Sequence, residues 1–194
     1  MNCIALAIDD LEKEAGIYGR LMGGKAGLPN SELFARMLTS QVAGSGVLPP
    51  GLGLYPETYA KLLARHFPGV DLDRELPRPR RPEERRLTER QDLIDLLLEH
   101  RAIDDLSEVW MAEIVAAACM GGDHLWQDLG LWSRGDLSRL MVENFPHLAA
   151  KNDRDMKWKK FLYRQLCERE GIHICPAPSC QVCADYAKCF APEA

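Results

Sequence analysis

Cys175, Cys180, Cys183 and Cys189 fall within fifteen residues, spaced C-x4-C-x2-C-x5-C, and make up four of the seven cysteines in the chain. Thiols at such short range either close disulfides or, as thiolates, hold a soft or borderline metal centre. The compartment decides between the two uses. The apolar start Met1–Ile8 has no basic leader and runs straight into Asp9-Asp10, which is not the form of a secretory signal. A cytoplasmic setting is therefore expected, and disulfides are rare there. An odd cysteine count also fits full pairing badly. The expected use is a metal centre.

Spacing narrows the choice of metal. Structural zinc sites use two short cysteine pairs separated by a longer insert, whereas loops that wrap an iron–sulfur cluster place their cysteines in a single run. This chain has one run and only one x2 pair. An iron–sulfur cluster is favoured, with zinc as the alternative. Pro176 and Pro178 stiffen the loop, and amides around Ser179, Gln181 and Val182 can donate to cluster sulfur. Val182, Tyr186 and Phe190 can shield the cluster from water, while Lys188 can offset thiolate charge. DNA glycosylases of the helix-hairpin-helix type also end a helical fold in a four-cysteine cluster loop, with the same x2 and x5 gaps and a longer first gap. Their hairpin needs a catalytic lysine and a following aspartate on a basic protein. No such lysine follows Phe67-Pro68-Gly69-Val70, and the net charge is −5. No nucleic-acid partner is expected.

The elements that must hold this loop read as helices. Hydrophobic residues make up 46% of the 194 and charged residues 27%, an ordinary globular balance. No apolar run reaches the roughly 18 residues of a membrane span. Apolar residues recur at helical spacing and strand alternation is scarce, so the fold class is all-α: a helical bundle with a C-terminal four-cysteine cluster-binding loop. Residues 1–70 form an N-terminal helical segment, with helices ending at Gly23-Gly24, starting at Asn30 or Ser31, and starting at Pro56. Gly44-Ser45-Gly46 and Gly51-Leu52-Gly53 lack the strand and the Lys-Ser/Thr of a phosphate loop and read as turns. Residues 71–90, rich in Pro and Arg, read as a linker.

Residues 91–170 are the helical core. Ser107 is expected to cap a helix that is apolar nearly all round, and Asp123 to cap a short one containing His124. Ser133 opens another helix, and the last long helix is expected from about Asp153 to Glu170, closed by Gly171. On it, Lys157, Lys160, Arg164 and Glu168 share the polar face. Residues 171–194 are the cysteine-rich loop.

Two upstream segments then make the loop specific. Met156-Lys157-Trp158-Lys159-Lys160-Phe161 with Leu166-Cys167-Glu168, and Ala118-Cys119-Met120-Gly121 with Asp123-His124-Leu125-Trp126-Gln127-Asp128-Leu129-Gly130-Leu131, resemble the NifQ family of nitrogen-fixation proteins. The resemblance covers roughly Cys119 to Phe190. It implies an iron–sulfur protein that processes molybdenum and donates it for assembling the iron–molybdenum cofactor of nitrogenase. On that footing the chain is an assembly factor rather than an enzyme. Its partners are nitrogenase cofactor-assembly proteins and molybdate or a reduced molybdenum species, without nucleic acid or membrane. The resemblance maps the cluster ligands onto Cys175, Cys180, Cys183 and Cys189, and it brings in Cys119 and His124 as further candidate ligands for an open corner. Otherwise Cys119 is a small buried hydrophobe and His124 is bonded to backbone. Cys167 and His173 are weaker candidates, and Cys3 is expected to play no part. The lysines at 157, 159 and 160 either attract an anion or an acidic partner or form a solvated face, and Trp126 and Trp158 read as core.

Overall fold

The computed structural model describes residues 14–72, 75–80, 87–169, 171 and 186–190. Every regular element among them is a helix. In chain order these are α1 (residues 14–23), α2 (Ser31–Val42), α3 (Pro56–His66), α4 (Leu87–Glu99), α5 (Leu106–Cys119), α6 (Leu125–Asp128), α7 (Arg134–Asn144), α8 (Pro146–Lys151), α9 (Trp158–Arg169) and α10 (Tyr186–Phe190). The all-α expectation is met.

Helix α5 is the axis. Trp110, Met111, Ile114, Val115, Ala116, Ala118 and Cys119 are all buried, because the helix carries apolar residues on every side and must be surrounded. Helices α3, α4 and α6 pack on it, and α9 lies against α4. The α4–α9 contact is fixed at its polar edge by Tyr163, which donates to Glu89 at 2.6 Å. Leu93 and Leu97 of α4, with Phe161 and Leu162 of α9, are buried in the common core.

Helix α2 starts at Ser31 as expected, while its cap bonding and the caps or starts of α5, α6 and α9 differ from the sequence reading. Asn30 stands at the N-cap of α2 without a side-chain cap bond. Its amide pairs with that of Asn144, in both directions, at 2.6 and 2.9 Å. Asp105, not Ser107, caps α5 by accepting from the Ser107 N–H at 2.8 Å. The Ser107 hydroxyl lies inside, 2.9 Å from His66 Nε2. His124, not Asp123, is the N-cap of α6. Helix α9 starts at Trp158 rather than Asp153, since Asn152 holds both the N–H and the carbonyl of Met156 at 2.8 Å in a tight turn. Asp155 has φ 54 within that turn, a value no right-handed helix uses. Ser133 does cap α7, accepting from the Asp136 N–H at 3.1 Å, and Gly171 closes α9 with φ 70.

The stretch 71–90 is tied to the bundle at both ends. Leu72 is buried and Leu76 packs against the core. At the other end α4 begins at Leu87, and Arg90 reaches the Gly53 carbonyl at 3.2 Å and Glu113 at 3.6 Å. The turn at residues 44–46 behaves as a turn: the Val47 N–H donates to the Asp128 carbonyl at 3.2 Å, seating it on the end of α6.

Candidate metal-cluster site

Among the described residues, three segments hold or touch the candidate ligands Cys119, His124 and Cys189: the end of α5 with α6, the first turn of α9, and α10. Cys119 is the last residue of α5 and is 4% exposed. Because that helix is apolar all round, its final thiol ends inside the protein. Burial pushes the thiol up to about 12, with nearby Lys159 pulling the other way. In this arrangement Cys119 is a protonated core thiol, and serving as a thiolate ligand requires uncovering it.

The chain leaves α5 through Met120 and Gly121. A side chain at Gly121 would put its Cβ 2.5 Å from Asp128 Oδ2 and 2.6 Å from Val47 Cγ2, so only glycine lets the Asp128 carboxylate approach. Asp128, the last residue of α6, has a side chain 1% exposed. Its Oδ2 accepts from the Asp123 N–H at 3.1 Å and forms an ion pair with Lys159. Lys159 Nζ also donates to the Gly121 carbonyl at 3.0 Å. Asp128 Oδ1 is buried without a hydrogen-bond partner. His124 sits half-buried on this turn, and its backbone N–H donates to Gln127 Oε1 at 3.3 Å.

The start of α9 also meets Cys189, half-buried in α10. Its carbonyl accepts from the Lys157 N–H at 2.9 Å, and its Sγ is 3.6 Å from Lys160 Nζ. Phe190 packs against the core beside it. A reduced, partly exposed sulfur facing an ammonium group suits an anionic thiolate ligand. Cys167, in the last turn of α9, is a free and half-buried thiol. Cys3, Cys175, Cys180, Cys183 and His173 lie outside the described residues. Among the described residues no three His, Cys, Asp or Glu side chains converge as a metal site, so Cys119, His124 and Cys189 do not form one ligand set there.

Comparison with known proteins places the chain in a family. The family model for NifQ matches residues 33–191, a span that takes in both upstream segments and all four clustered cysteines. The chain belongs to the NifQ family. It is 46% identical over 168 residues to Protein NifQ of Azotobacter vinelandii, covering 81% of this chain and 86% of that protein. It is 41% identical over 163 residues to Protein NifQ of Rhodobacter capsulatus, covering 83% and 87%. A match to Protein NifQ of Klebsiella pneumoniae is 48% identical over 81 residues, 41% of this chain and 48% of the other. No solved structure matches. NifQ membership leaves the DNA glycosylase reading without support. No helix among the described residues is long and apolar enough to cross a membrane.

Two residues at the site carry roles that the sequence reading did not assign. Lys159 turns inward while Lys160 is exposed, so the lysine run is not one solvated face. Asp128 is its buried partner. The signal was an acidic residue inside the apolar run Leu125–Leu131, where a carboxylate needs a partner. Trp158 is core as expected, 6% exposed and edge-on to Phe161 with ring centroids 5.7 Å apart.

Proposed function

We propose that this chain, a member of a family implicated in nitrogen fixation, binds and processes molybdenum as a molybdenum–iron–sulfur cluster. It then donates the metal for biosynthesis of the iron–molybdenum cofactor of nitrogenase. The observation that carries the reading is a family match spanning Cys119, His124 and all four clustered cysteines in one span. Cys175, Cys180, Cys183 and Cys189 are the cluster ligands, with Cys119 and His124 as second-tier candidates. The protein acts as a carrier and assembly factor, not as an enzyme with turnover, in the cytoplasm. Its partners are the cofactor-assembly proteins that receive the metal.

The chemistry of the donor set supports this. Molybdenum reaches cells as molybdate, a hard oxyanion that soft thiolates bind poorly. Sulfide bridges in a mixed cluster supply the soft environment that retains the metal, while cysteine thiolates hold the irons. What the protein's own residues do is bind and screen. Lys160 faces the Cys189 sulfur, the Lys157 N–H fixes the Cys189 backbone, and Phe190 seats the segment on the core. A donor must also release its cargo, so the ligand set should be incomplete at the molybdenum corner rather than closed as in a structural site.

Metal and sulfide analysis of protein purified without oxygen tests the reading. Iron, molybdenum and acid-labile sulfide together support it. Stoichiometric zinc without sulfide overturns it. Replacing Cys175, Cys180, Cys183 or Cys189 singly with Ala should abolish the cluster chromophore and molybdenum retention, and full retention in such variants would also overturn it.

A further inference from the structure

The first turn of α9 touches both regions that carry candidate ligands, and it does so with adjacent residues. Lys159 reaches inward to the Gly121 carbonyl at 3.0 Å and to Asp128, spanning the turn on which His124 sits. Lys160 points outward to Cys189 Sγ at 3.6 Å, and the Lys157 N–H holds the Cys189 carbonyl at 2.9 Å. Asp128 is nearly fully buried, with one oxygen unpartnered, and Lys159 is the cation beside it. A buried carboxylate that keeps a single cationic partner costs desolvation that apolar packing would avoid, so the pair is poor value as stabilisation alone. It does fix where the turn sits, because an ammonium bonded to both a carbonyl and a carboxylate has little freedom left.

We propose that the first turn of α9 is a shared bracket, with Lys159 as the positioning residue for the Cys119–Asp128 turn and Lys160 for Cys189. The two ligand-bearing regions are then registered against one rigid helix rather than against each other. Lys160 has a second consequence. An ammonium hydrogen-bonded to a ligand sulfur withdraws charge from it, which raises the reduction potential of any centre that sulfur holds. The bracket rests on the proposed function where Cys189 and the Cys119–Asp128 turn are treated as ligand-bearing, and not in the positioning contacts themselves.

Hydrogen exchange on the full-length metal-free protein tests the bracket without any metal. Lys159→Met alone strands a buried carboxylate and can unfold the chain, so the informative variant is Lys159→Met combined with Asp128→Asn, which removes both charges. Exchange of amides at 121–128 should rise about tenfold in the double variant while that of α2 and α7 stays at the wild-type rate. Unchanged exchange at 121–128 overturns the role of Lys159. After anaerobic loading with iron, sulfide and molybdate, the double variant should hold less molybdenum per iron than wild type. Lys160→Met should hold a centre of lower midpoint potential, and Lys160→Arg should restore it. Equal potentials in wild type and Lys160→Met overturn the role of Lys160 and leave the proposed function standing. A wild-type protein that takes up no cluster defeats the proposed function and with it the role of Lys160, while the exchange result still judges Lys159.

Discussion

The Cys189 and Cys119 thiols are chemically identical and differ only in surroundings. Cys119 is sealed at the end of an apolar helix and pushed up to about 12, whereas Cys189 is half-buried with Lys160 beside it. Reactivity follows thiolate character and access. In native metal-free protein, iodoacetamide at pH 8 should label Cys189 at least about tenfold faster than Cys119, read by peptide mass spectrometry. Comparable rates would show that the end of α5 opens freely. His124 differs again: it stands half-buried at the start of α6, on the turn that Lys159 secures. His124→Ala should lower bound molybdenum more than bound iron in anaerobically prepared protein, and equal loss of both would remove His124 from the molybdenum corner.

Among the elements, α5 depends on a cap that spacing alone assigned to the wrong residue. Asp105 accepts from the Ser107 N–H and also pairs with Arg65 at 2.7 Å. Asp105→Ala should cost about 1 kcal/mol, measured as a lowered urea midpoint with unchanged slope, while Asp123→Ala, which removes no cap side chain, should cost less. The long helices were legible because their apolar periodicity is local: α5 and α9 could be read from Trp110 to Cys119 and from Trp158 to Leu166 without knowing any partner. The side-chain caps of α2, α5 and α6 and the start of α9 were not. Ser107, Asn30 and Asp123 are all good capping types, and the choice depends on contacts distant in sequence, such as Ser107 with His66 or Asn30 with Asn144. The cysteine spacing is likewise a local signal, which is why it could be read as a candidate metal site without any partner. The inward turn of Lys159 toward Asp128 needs the fold and was invisible in the spacing.

For the molecule as a whole, His66 sets an acid limit. It is fully buried between Ser31 and Ser107, 2.9 Å from each hydroxyl, and edge-on to Phe34. Burial first, and the charge of Arg65 second, depress it from 6.5 to about 4. The unfolded chain therefore takes up a proton near pH 6.5 that the folded chain refuses until about pH 4. Stability from this group is complete above pH 6.5 and declines as pH falls toward 4, by up to about 1.4 kcal/mol per unit. Urea unfolding across that range should show the slope, and His66→Asn should flatten it.

The anchoring of Cys189 has a thermodynamic meaning too. Gly171 ends α9 at one extremity, and Cys189 is bonded to Lys157 at the other, about 18 Å away along a twelve-residue helix. Gly171 and Cys189, which flank Cys175, Cys180 and Cys183 in the sequence, are thus both placed against one rod. Part of the closure entropy that a metal would otherwise have to offset is met when the bundle folds. If the segment between Gly171 and Cys189 takes up and releases metal as proposed, each step draws on a smaller entropic difference, which suits a carrier that must also give its cargo away.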